Sequence, residues 1–98
     1  MKDNEIITDT DIQIALDRTG FDYLADEGRL MLMELLAKAN AGYRSSNTEE
    51  QFLARFKLLN SDRTANKKGR LFLVSMVYKH SHLQPTAYYL MDQYRYVG

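Results

Sequence analysis

From about Asp22 to Ala41 the apolar residues recur at a helical spacing and occupy more than one side of the helix they imply. Leu24, Gly28, Met31, Leu32, Leu35, Leu36 and Ala39 fall on one face at i, i+3, i+4, i+7 intervals. Leu30, Met33 and Ala37 form a second, narrower stripe, and Glu34 and Lys38 make an i, i+4 ion pair on the remaining side. Gly42 is the natural C-terminal stop. A helix with two apolar stripes has to cover both. It is therefore either central to its fold or shared with a second subunit.

The flanking segments read as shorter helices. Residues 1–7 are expected to form a flexible lead-in. Thr8 to Thr10 offers capping side chains, Ile12, Ala15 and Leu16 follow at helical spacing, and Gly20 ends the run. After a polar loop over 43–47, Thr48-Glu49-Glu50-Gln51 reads as a capping box with Thr48 as the cap. Phe52, Leu53, Phe56 and Leu59 supply the apolar face of that helix through about Leu59. Residues 60–69 are polar and basic. Leu71 to Val74, Met76, Val77 and Tyr78 then form a nearly continuous apolar run that periodicity alone does not assign to helix or strand. A helix is favoured, because the chain offers no second good strand and a lone strand leaves its backbone groups unpaired. Pro85 suits the first turn of a last helix whose buried face is Ala87, Leu90, Met91 and Tyr94. The expected fold is all-α, four to five helices with short loops, residues 8–98 forming a single helical domain. The alternative is α+β with residues 71–78 as a strand.

Ninety-eight residues suit one domain with one core. The absence of cysteine excludes disulfides, thiolate metal sites and cysteine nucleophiles, and agrees with a reducing compartment. No early stretch reads as a signal peptide, and no apolar run reaches the ~18–20 residues needed to cross a bilayer. A cytoplasmic protein without membrane contact is expected.

The formal charge of zero is a cancellation. Residues 1–27 carry eight acids against Lys2 and Arg18, a net −6, and residues 28–98 carry +6. Most of these acids fall near expected helix starts, where they oppose the positive end of the helix dipole. Arg63, Lys67, Lys68 and Arg70 form the densest basic cluster, four cations in eight residues with no acid among them. At a helix start such charges oppose the dipole, and a bound anion reverses the penalty. The cluster is a candidate phosphate or anion contact. It lacks the G-x-x-x-x-G-K-[ST] pattern of a nucleotide-cradling loop.

Five of the seven tyrosines crowd the C-terminal end. Tyr88, Tyr89 and Tyr96 cannot all share the face of Leu90 and Met91, so at least one is expected to be exposed, as a protein-interface anchor or a base-stacking ring. His80 and His82 share a face only on a strand, and no metal-ligand pattern joins them, so no metal site is expected. There is no G-x-S-x-G and no G-x-G-x-x-G, and no cofactor is implied.

These features point to a small non-catalytic protein that acts by macromolecular binding, as a protein–protein adaptor, regulator or inhibitor. Its expected partner or self-association surface comprises Leu30, Met33, Ala37, Tyr88, Tyr89 and Tyr96, and a homodimer through the Leu30 stripe is one outcome. The alternative is a nucleic-acid-binding protein that contacts phosphates through Arg63, Lys67, Lys68 and Arg70.

Overall fold

The structure, a computed structural model, describes residues 3–79. Within them the chain forms α1 (Asp3–Ile6), α2 (Asp9–Thr19), α3 (Ala25–Asn40), α4 (Asn47–Ala54) and α5 (Lys67–Lys79). The domain is all-α. Residues 71–78 belong to a helix, and the only strand-like pairing among the described residues is an isolated bridge between Leu59 and Ala65. The expected helix after Pro85 lies outside the described residues. None of the described helices is long and apolar enough to cross a membrane.

The local signals explain most of the boundaries. Thr8 caps α2: its hydroxyl accepts from the Asp11 N–H at 3.1 Å, and the Asp11 carboxylate accepts from the Thr8 N–H in return. Gly20, at φ +80°, ends it in the left-handed region that glycine adopts without penalty. Glu27 accepts from the Leu24 N–H at the start of α3, and Gly42, at φ +91°, turns the chain after its end.

Two boundaries differ from the sequence reading. The cap of α4 is Ser46 rather than Thr48, with Glu49 completing the box. Both pairs fit the spacing, and in the observed start the Ser46 hydroxyl donates to Glu49 at 2.7 Å while Glu50 accepts from the Ser45 N–H and pairs with Arg63. The helix also stops at Ala54, and Lys57, at φ +55°, redirects the chain. Leu58 is consequently buried in place of Leu59, which is only partly covered.

The N-terminal segment differs as well. Residues 3–7, expected as a flexible lead-in, include a helical turn that packs on α5, with Asp3 and Ile7 buried.

α3 is the axis of the fold and touches α2, α4 and α5. Its glycine permits a close approach to α2: a Cβ at Gly28 would lie 2.8 Å from both Ile12 Cγ2 and Leu16 Cδ1. Phe52 links the α2–α3 loop to α4 through edge-on contacts with Phe21 and Phe56 at ring separations of 5.8 and 5.2 Å. Gly69 brings α5 onto the 58–65 loop, since a Cβ there would sit 2.4 Å from the Leu58 carbonyl oxygen.

Candidate functional site

The acids of the first quarter are largely engaged within the fold. Asp11 and Glu27 complete helix starts, and Asp17 accepts from Gln13 at 3.2 Å. Asp3 and Asp9 converge on Arg29, which is buried in α3. Arg29 Nη2 meets Asp9 at 2.6 Å, and Nη1 meets Asp3 at 3.1 Å and donates to the Ile7 carbonyl at 2.7 Å. Lys79 reaches the same Asp3 oxygen at 3.5 Å. This cluster fastens α1 and the start of α2 to α3 and α5. Sequence reading did not single out Arg29, because its partners lie 20 and 26 residues away.

The expected association stripe has a different role. Met33 and Ala37 are each only 1% exposed and belong to the core, and Leu30 packs partly against it. The physical reason is the central position of α3: its second apolar stripe is covered by helices of the same chain, so no second subunit is needed to bury it. Tyr88, Tyr89 and Tyr96 lie outside the described residues, as do His80 and His82.

The basic cluster divides. Arg63 forms a 2.6 Å ion pair with Glu50, a half-buried contact. The hydrogen bond from Arg63 holds the Glu50 carboxyl below its ordinary 4.5, against partial burial, with help from the Ser45 N–H. Arg70 donates to the Ala65 carbonyl at 3.0 Å. Arg63 is thereby tied into a half-buried ion pair, whereas Arg70 makes this contact while remaining exposed. Lys67 and Lys68 stay exposed, without an ion pair among the described residues. The start of α5 is capped by Asn66, whose Oδ1 accepts from Gly69 N–H at 2.9 Å, so one of its free N–H groups is already satisfied. Asp62 is held low by the Thr64 hydroxyl and N–H, which shapes the loop before it.

Two surface features were not legible in the sequence. Along the outward side of α5, Leu71, Val74 and Tyr78 are 40%, 55% and 80% exposed. Their i, i+3, i+7 spacing makes one stripe, opposite the buried Phe72, Leu73 and Met76. Lys67, one turn before Leu71, and Lys68 stand at its N-terminal end. Separately, Arg55, Lys57 and Lys68 line a cleft of about 300 Å³ together with Asp11, Ile7, Ile14, Ala15 and Phe56. Only Lys68 comes from the basic cluster. Arg55 and Lys57 arrive because the chain leaves α4 early.

No known protein family, curated protein or solved structure matches this chain.

Proposed function

We propose that this chain is a non-catalytic helical binding protein that engages a protein partner across the outward face of α5. The observation that carries the reading is the stripe Leu71, Val74 and Tyr78 with Lys67 and Lys68 at one end. Three large apolar side chains in register on one helix form a contiguous patch, and an exposed tyrosine supplies apolar area with a hydrogen-bonding tip. The complementary partner is an amphipathic segment with apolar residues at i, i+3, i+7 and an acidic residue at the end that meets the lysines.

A photo-crosslinking side chain at position 74 identifies the partner, and the purified partner then tests the surface. Val74→Glu weakens its binding by about tenfold or more, as expected for a charge placed in an apolar contact. Lys67→Gln with Lys68→Gln slows association at low salt, and the effect shrinks as salt is added. A partner whose affinity is unchanged by Val74→Glu refutes the assignment. So does crosslinking that is equally strong from the exposed Gln13 of α2.

A second reading, nucleic-acid binding through phosphate contacts, is favoured by the free Lys67 and Lys68 and by Arg55 and Lys57 nearby. It predicts a log–log salt slope of roughly −0.7 to −0.9 per phosphate. Fluorescence anisotropy of labelled duplex DNA and single-stranded RNA at two salt concentrations tests it, and no binding at low salt removes it.

A further inference from the structure

We propose that the cleft between α2, the turn after α4 and the start of α5 is a binding site for a phosphate monoester carrying a short apolar body. Arg55, Lys57 and Lys68 line it, and none of the three has an ion-pair or side-chain hydrogen-bond partner among the described residues. Asp11 is the single acid in the lining, and its carboxylate is already engaged by the Thr8 N–H. The lining therefore carries a formal +2, which matches the charge of about −1.5 to −2 on a phosphate monoester near neutral pH.

The rest of the lining is apolar. Ile7, Ala15 and Phe56 are buried core residues that form its floor, and Ile14 is 47% exposed beside them. Ile14 is the apolar side chain of the lining that stays open to water, and a hydrocarbon body on the ester covers it where a naked inorganic ion does not. The volume of about 300 Å³ sits at the lower end for small-ligand sites, which restricts the body to one unbranched chain or one ring.

Lys57 supplies a further sign of construction. A lysine at φ +55° holds a left-handed conformation that disfavours a non-glycine residue, and such strain persists where the surroundings enforce it. Here Asn66 enforces it, donating from Nδ2 to the Lys57 carbonyl at 2.9 Å. The same Asn66 caps the helix that carries Lys68. One side chain thus ties the backbone of Lys57 to the start of the helix that carries Lys68.

The test is an amide NMR titration of the full chain with octyl phosphate below its micelle-forming concentration, with inorganic phosphate and with 1-octanol. Octyl phosphate shifts the amides of residues 14–15, 55–57 and 68 saturably, and each single-feature probe binds at least about tenfold more weakly. Lys57→Gly removes a cation while keeping the backbone its φ requires, so the variant stays folded and weakens octyl phosphate by about threefold or more. Ile14→Ser weakens octyl phosphate but leaves the response to inorganic phosphate unchanged. Equal affinity for octyl phosphate and inorganic phosphate overturns the proposal, as does unaltered binding by Lys57→Gly. Vesicles containing phosphatidic acid separate the two sources of this chemistry. Sedimentation with them that octyl phosphate displaces makes the ligand a lipid headgroup, and no sedimentation beside intact octyl phosphate binding makes it a soluble ester. Sedimentation without any octyl phosphate response at the cleft refutes the site.

Discussion

Replacing Arg29 by Met tests the reading of the buried ionic cluster most directly. The guanidinium serves two carboxylates, and distance and burial rank them in opposite order. Asp9 is closer, at 2.6 Å against 3.1 Å for Asp3, yet the Asp9 side chain is 68% exposed and that of Asp3 only 7%. Without Arg29, Asp9 rehydrates at little cost, since exposed partners contribute about 0–1 kcal/mol. Asp3 does not rehydrate. Among the described residues it keeps only Lys79 at 3.5 Å, and the Ile7 carbonyl loses its 2.7 Å donor. Removing one member of a buried pair costs about 3–5 kcal/mol, and Lys79 places Arg29→Met near the lower end. A domain of this size has roughly 5–15 kcal/mol in total, so the variant remains folded and measurable. Urea unfolding followed by circular dichroism at neutral pH gives the loss as a shift in midpoint at unchanged slope. Two further variants isolate the cause. Asp9→Asn costs less than about 1 kcal/mol despite the shorter contact. Arg29→Met combined with Asp3→Leu is more stable than Arg29→Met alone by about 1 kcal/mol or more, because no charge is left buried. The reasoning is refuted if Arg29→Met costs under about 1 kcal/mol, or if the double variant is no more stable than the single one.

Three other perturbations follow from the fold. Gly69→Ala gains about 1 kcal/mol of helix propensity but forces a Cβ to 2.4 Å from the Leu58 backbone oxygen, so a net loss of about 1–2 kcal/mol is expected in thermal melts. Ser46→Ala destabilises by about 1 kcal/mol in urea unfolding while Thr48→Ala is close to neutral, and the reverse order restores Thr48 as the cap. The Glu50 carboxyl lies below 4.5 in the folded chain, so its contribution is present above that value and is lost as pH falls through the lower folded one. Comparing urea midpoints at neutral and acidic pH, Arg63→Gln removes this part of the acid sensitivity, and an unaltered pH dependence contradicts the pairing.

For residues 71–78 the sequence favoured a helix but left a strand open, and the tertiary structure decided it. What the sequence by itself determined is the predominantly helical class and the courses of α2 and α3. Those features rest on interactions within a few residues: i, i+3, i+4 periodicity, the Thr8–Asp11 box, and Gly20 and Gly42 at positions of positive φ. It misassigned the cap of α4 because Ser46–Glu49 and Thr48–Gln51 satisfy the same spacing, and their electrostatic difference is small beside the packing that follows. Tertiary structure alone decided which apolar and charged groups face water. Met33 and Ala37 read as a surplus stripe until three helices are seen to surround α3, while Leu71, Val74 and Tyr78 are indistinguishable within their apolar run from its buried members yet are exposed. Arg29 passes for a surface charge until Asp3 and Asp9 are brought to it, and Arg55 and Lys57 are unremarked until the turn at Lys57 sets them beside Lys68. The division has one physical origin. Helix formation is local and is encoded in neighbouring residues, whereas burial and the convergence of charges depend on groups that only chain folding brings within a few ångströms.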